Sequence, residues 1–424
     1  MPEVTATVRE TAGGTAHGTV RGTVHGTVRR TARLRELDLL RFLAAAAVLA
    51  YHFTGFAGGG PWPQAAREVF PGVGSVTGFG YLGVDLFFMI SGFVILMSVW
   101  GRGTGEFAVS RIVRLLPAYW ISVLLGAAIF AVFGLGNGRP GVVIPNLTML
   151  QGGLGVRNVD PVYWTLWVEM HFYVLMAVLA AVGVTYRNCV IFMGGWLFIG
   201  LYANEADNKL LQVLFLPTWN CYFISGMALF LIYRFGSNLL LWGFVAVGWL
   251  MALRWGIWRA GDIFREGTDG PAVVLITGIF AVMILVAVRR LGWLRWRGFT
   301  VLGALTYPLY LVHQQLSFPI LDAIYPRLNR WVALAVITAA SLAVAFAIYR
   351  FAERPAQAWL RPRLRAALDR IRTTTEPPRR AAPARAVPAA PAAAAPKSAS
   401  GQDAGGSAPE RTVPAPRGSV GEAV

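Results

Sequence analysis

In the stretch LRFLAAAAVLAYHF, residues 40–53, Arg41 and His52 stand near the two ends of a run otherwise suited only to hydrocarbon. On a helix, eleven residues rise about 16 Å and bring the two side chains to within about 20° of one another around the axis. They share a face. Burying a cation or an imidazole in lipid is costly, so such residues normally meet a cavity or a partner. The plainer alternative is a snorkelling arginine and a core histidine with a satisfied ring.

Other apolar runs carry matching groups. Glu169 lies in YWTLWVEMHFYVL, two positions before His171, and a carboxylate there must be protonated, paired or facing water. TYPLYLVHQ contributes Tyr307, Tyr310 and His313. GYLGVDLFFMISGFVI contributes Asp85, with Ser91 and Gly92 further along; helix packing through the small residues is the simpler reading of that pattern. RIVRLLPAYW places Arg111 and Arg114 three apart on one helical face before a proline, where they can anchor the chain at the interface or bind phosphates. Tyr119 and Trp164, in these same blocks, are candidate supporting residues.

One chemistry uses arginines at one interface leading to a buried histidine and a carboxylate. A phosphorylated acyl donor such as acyl-CoA would dock its phosphates on Arg41, Arg111 and Arg114, with its thioester reaching along the Arg41–His52 face. His52 would take the proton of an acceptor hydroxyl attacking the thioester carbonyl. Glu169 would orient that imidazole, as the third member of a triad does. No resident cofactor or metal is expected; acyl-CoA enters as a co-substrate.

The elements that hold these groups follow from composition. Of 424 residues, 56% are hydrophobic and 14% charged, which leaves too little charge to cover a soluble surface. The expected class is all-α, a polytopic integral membrane protein. A net charge of +17 suggests nucleic acid, but the arginines cluster in short segments between apolar runs and in a polar C-terminal tail, where they act as topology signals. About ten stretches are long enough to cross a bilayer: 37–56, 79–100, 115–134, 161–183, 189–203, 209–233, 238–253, 270–288, 300–320 and 331–350. The fifth is short for a full span and the seventh is also weak.

With ten crossings and an inside N-terminus, the inner side collects Arg33, Arg35, Arg102, Arg111, Arg114, Arg187, Arg234 and the cluster from Arg289 to Arg297. Most outer loops mix arginines with acids, as with Arg254, Arg259 and Arg265 among Asp262, Glu266 and Asp269, while Arg139, Arg327 and Arg330 run against the rule. Both termini are expected in the cytoplasm. Residues 1–33, with the repeat GTAHGTVRGTVHGTVR, and 361–424, basic and then rich in Ala and Pro, read as disordered tails around a membrane domain at 34–360. His17 and His25 in the first tail are not assigned a metal. Cys189 and Cys221 read as buried free thiols.

The segment LDLLRFLAAAAVLAYHF, with ten residues between Arg41 and His52, resembles the first span of the acyltransferase-3 family of membrane O-acyltransferases. The Asp85, Arg111, Glu169 and His313 blocks and the closing FAERPA, residues 351–356, resemble that family's later blocks in the same order. The resemblance implies transfer of an acyl group, commonly acetyl, from cytoplasmic acyl-CoA to a hydroxyl of a sugar, polysaccharide, lipid or macrolide. It also implies that Arg41 and His52 are the central pair and that Arg111 and Arg114 serve the donor. Met170 and His171 depart from the family's usual residues after the glutamate, which puts the role of Glu169 in question. The competing class is a transporter or flippase for an anionic lipid or acyl carrier; such proteins often carry paired repeats, and none is evident in this sequence.

Overall fold

The computed structural model describes residues 33–58, 62–134, 136–264, 269–325 and 327–375. The expected tails up to residue 32 and beyond 375, with His17 and His25, lie outside them. The described residues are helical, without strands, and up to Thr373 they belong to one compact unit.

The chain begins with α1 (Arg35–Ala50), whose last turn continues as a π-helical turn, Tyr51–Gly55. Short helices α2 (Ala66–Val69) and α3 (Pro71–Thr77) lead to α4 (Gly83–Val99), then α5 (Thr104–Val132) and the short α6 (Pro140–Leu147). After α7 (Trp164–Val182) and α8 (Tyr186–Glu205), α9 (Lys209–Phe215) breaks at Leu216 and Pro217 before α10 (Asn220–Phe235). The remaining helices are α11 (Leu239–Phe264), α12 (Asp269–Ala287), α13 (Gly298–Ile324), α14 (Arg330–Ala347) and α15 (Arg354–Thr375).

Eight of these segments are long and apolar enough to cross a bilayer. α8 and α13 are not among the eight; α13 carries the Thr306, Tyr307, Tyr310, His313, Gln314 and Gln315 side chains that dilute its apolar character. α8 nevertheless has 20 residues, longer than the fifth apolar run suggested. It lies along α10, with the Tyr186 ring 5.7 Å from Phe235 at one end and Gly200 against Asn220 at the other.

α10 is the central helix. Every residue from Asn220 to Ile232 is buried, as expected of a helix apolar on all sides. It packs on α4 through reciprocal glycines: a Cβ at Gly92 would strike the Phe223 backbone, and one at Gly226 the Met89 backbone. Small residues permit this close approach, and dispersion contacts then hold the pair where lipid supplies no hydrophobic drive. Cys189 and Cys221 are buried and unpaired.

α1 and α13 run side by side in the same direction. Gly303 faces Asp38 near their starts, and His313 meets His52 further along. Their starts share a basic end of the bundle, where Arg35 hydrogen-bonds the Arg295 carbonyl and Arg33 pairs with Asp38 at 2.6 Å. Arg289, in the same loop as Arg295, donates to the Tyr233 carbonyl at 2.9 Å.

Two boundaries differ from the sequence reading. Residues 361–375, assigned to the tail, form most of α15, where Leu368 seats on Gly105 at the start of α5. Arg259, assigned to an outer loop, lies inside α11 with its side chain only 13% exposed. A charge near a helix end signals a loop in sequence, but this one turns inward to a partner.

Candidate active site

Arg41 and His52 open onto two different cavities. The first, about 660 Å³ including its mouth, is lined by Arg41, Arg114, Ser91, Glu169, Tyr173 and Tyr307, among others. The second, about 1060 Å³, holds His52, Tyr81, Trp164, Trp219, Arg259 and Gln314. Val84 of α4 and Tyr310 of α13 line both and form the partition between them. The Tyr310 hydroxyl is fixed by Thr165 Oγ1 at 2.8 Å and by the Val162 carbonyl at 3.2 Å.

His52 occupies the π-turn that ends α1. Thr54 Oγ1 donates to the Ala50 carbonyl at 2.7 Å and meets Thr77 Oγ1 at 2.8 Å, while Trp62 Nε1 donates to the Phe53 carbonyl at 2.8 Å. These bonds occupy backbone groups that a π-turn leaves without regular partners, and such turns recur at functional positions.

The side-chain partner of His52 is His313; the His52 ring also bonds the Val48 backbone. His313 Nε2 lies 3.1 Å from His52 Nδ1, and its own Nδ1 lies 2.9 Å from the Tyr310 carbonyl and 3.2 Å from that of Leu309. A carbonyl only accepts, so His313 Nδ1 carries the hydrogen. With both rings neutral, His313 Nε2 is then a bare acceptor, and His52 Nδ1 must donate to it. His52 Nε2 is left with a free lone pair, able to accept a proton on the second cavity's side.

Glu169, expected to orient His52, makes its hydrogen bonds elsewhere. Its Oε1 accepts from Tyr173 at 2.6 Å and from Ser91 at 3.2 Å, in the wall of the first cavity. There it faces arginines. Arg41 and Arg114 have no hydrogen-bond or ion-pair partner among the described residues. Arg111 sits one layer back, its guanidinium 5.8 Å from the Tyr173 ring centre and 3.4 Å from Ser98 Oγ, with its Nε buried and unpartnered. Glu353, where the π-turn Ile348–Glu353 overlaps the start of FAERPA, is within electrostatic reach of Arg114; its Oε2 is buried and unpartnered. Guanidinium groups gathered around so few carboxylates have the charge and donor geometry to take phosphate oxygens.

The remaining candidates separate clearly. Tyr307 lines the first cavity and donates to the Leu115 carbonyl at 3.3 Å, and Trp164 lines the second. Tyr119 is buried away from both cavities, donating to the Asn146 carbonyl at 2.7 Å. Asp85 is fully buried and takes Arg259 in a two-point ion pair at 2.6 and 3.0 Å, with the Tyr222 hydroxyl at 2.8 Å. It ties α4 to α11 and α10. His171 bonds back to the Trp167 carbonyl at 2.8 Å and stands edge-on to that ring. It lines neither cavity, so the departure from the family pattern stays outside them.

Tyr173, Arg259, Tyr81 and Gln314 were not singled out from sequence. Tyr173 was the accessible one, four residues after Glu169 and therefore beside it on the helix.

Residues 34–350 match the sequence profile of the acyltransferase-3 family, described as an acyltransferase domain. The chain belongs to that family. The matched span contains both cavities and the His52–His313 pair, so the acyltransferase-3 domain here is a multi-pass membrane acyltransferase domain. No curated protein and no solved structure showed a significant match.

Proposed function

We propose that this protein moves an acyl group, most simply acetyl, from acyl-CoA to an acceptor hydroxyl of a carbohydrate, glycolipid or macrolide-type molecule, with His52 as general base. The observation that carries this reading is the division of labour across the Val84–Tyr310 partition. Under-partnered guanidinium groups lie on one side, and an imidazole with a free Nε2 lies on the other.

The CoA phosphates bind Arg41 and Arg114, with Arg111 adding positive charge from behind Tyr173. The pantetheine arm extends toward the partition and presents the thioester carbonyl to the second cavity. His52 Nε2 removes the acceptor's hydroxyl proton while the oxygen attacks the carbonyl carbon. The imidazolium so formed keeps its Nδ1–H on His313 Nε2, which stabilises its charge and holds its orientation. Collapse of the tetrahedral intermediate breaks the C–S bond, and the departing sulfur takes the proton from His52, giving the ester and CoA–SH.

The arginines at the basic end of the bundle, Arg33, Arg35 and the 289–297 cluster, support an orientation with that end, and both termini, in the cytoplasm. The arginine cavity then opens toward the compartment that holds acyl-CoA. The test is incubation of the purified protein in nanodiscs with labelled acetyl-CoA, with mass spectrometry of cell-envelope intermediates from cells with and without the protein. The reading expects acetyl-CoA binding and the gain of one acyl unit on an acceptor. A transporter would neither cleave the thioester nor acylate anything.

A further inference from the structure

Two residues in the wall of the second cavity each carry a buried polar atom with nothing to bond. Tyr81 Oη and Gln314 Oε1 are both enclosed and unpartnered, on residues 9% and 6% exposed that line the wall beside His52. A folded protein rarely leaves such groups unpaired, because desolvation without a replacement bond is costly. The same wall carries an aromatic shelf. The Trp164 and Trp219 rings lie 5.1 Å apart, and Trp219 is held against the guanidinium of Arg259 at 4.6 Å, itself neutralised by Asp85. Arg259 is therefore a strut for the shelf with its charge spent on Asp85, and the other charged residue lining the cavity among the described residues, Asp262, is a carboxylate that disfavours an anionic acceptor.

We infer that Tyr81 and Gln314 are specificity-determining residues that orient the hydroxyls of an uncharged sugar ring, seated on the Trp164–Trp219 shelf with one hydroxyl at His52. This inference rests on the acyl-transfer reading above and names the acceptor class for it. An apolar alcohol fills the aromatic space but leaves Tyr81 Oη and Gln314 Oε1 unpaired. A polyhydroxylated ring satisfies both, since its hydroxyls donate to Gln314 Oε1 and exchange donor and acceptor roles with Tyr81. A site built to bond a substrate hydroxyl rejects the analogue lacking it far more strongly than an apolar pocket rejects an added group.

The test uses probes that share one alkyl chain: octyl β-glucoside, octyl β-galactoside and octyl β-mannoside, below their micellar concentrations, against 1-octanol. Protein in nanodiscs is supplied with labelled acetyl-CoA; donor affinity and slow donor hydrolysis by water are recorded alongside transfer. At least one glycoside should be acetylated ten-fold or more faster than octanol. Tyr81→Phe and Gln314→Leu should each lower kcat/KM for that glycoside at least ten-fold, leaving donor affinity and thermal unfolding unchanged. Trp164→Phe, which keeps a ring in the shelf, should retain more transfer than Trp164→Ala. Donor binding without transfer to any glycoside, equal use of octanol, or wild-type kcat/KM in both folded polar variants would overturn the sugar assignment alone. A wild-type protein that neither binds nor hydrolyses acetyl-CoA overturns the acyl-CoA reading and this inference with it.

Discussion

His313 Nε2 stands 3.1 Å from His52 Nδ1, and the carbonyls beside His313 Nδ1 decide which ring donates. The imidazole proposed as general base is thus bonded to a second imidazole, where the π-turn after α1 meets α13.

That relationship predicts a loss of turnover without a loss of binding. His313→Leu removes the side-chain acceptor of His52 Nδ1–H and leaves the ring held only by its backbone bond at Val48. The saturated transfer rate should fall about 100-fold or more. Acyl-CoA affinity, measured by titration in nanodiscs, should stay within a few-fold of wild type. His313→Asn, whose carbonyl oxygen can still accept, should recover part of the rate.

The arginine cavity predicts the opposite pattern. Arg41→Ala or Arg114→Ala removes a charge-assisted contact of about 1.5–3 kcal/mol, weakening acyl-CoA binding roughly 10- to 150-fold. Transfer should recover in part at high donor concentration. Arg111→Ala, one layer back, should weaken binding less than either. Equal affinity in all three variants would remove the donor from this cavity.

Glu169 separates the two cavities experimentally. It is held by Tyr173 and Ser91 among the arginines, so Glu169→Gln should shift the donor KM and leave the saturated rate within about three-fold. A collapse of the saturated rate at unchanged donor KM would return the carboxylate to the histidine.

The Asp85–Arg259 pair makes a stability prediction. Asp85→Ala strands a buried guanidinium and should cost about 3–5 kcal/mol, read as a lower unfolding temperature. Adding Arg259→Met, which removes the stranded charge, should restore much of that loss. A thermal midpoint unchanged in Asp85→Ala would show that water reaches the pair.

Topology has its own check. Single cysteines at Ser75 and Val156 should react with an impermeant reagent from outside, and those at Gly103 and Gly298 should not. Reaction at Gly298 would mean that one helix before it does not cross.

Much of this architecture can be read along the chain, because span length and arginine placement are local properties. Arg41 and His52 were legible as two polar groups one helix apart in depth, but α-helical spacing does not fix the face of a residue in a π-turn, and the two open onto different cavities. What spacing does not determine is the neighbour across a helix contact. Glu169 was matched to His52 because each is a polar group lacking a visible partner in its own span. Three-dimensional packing instead assigns His313 to His52 and gives Glu169 to Tyr173, Ser91 and the arginines. Asp85 and Arg259, 174 positions apart, illustrate the same limit: either alone reads as a packing or loop residue. α15 was read as tail from its many arginines, though Leu368 recurs in register to dock on α5.

The most direct measurement is the His52→Ala variant, folded by thermal unfolding, in nanodiscs with saturating acetyl-CoA and an acylatable acceptor. The account predicts near-wild-type donor affinity and a saturated turnover at least about 100-fold slower. Wild-type turnover in that folded variant would contradict it and make His52 a packing residue.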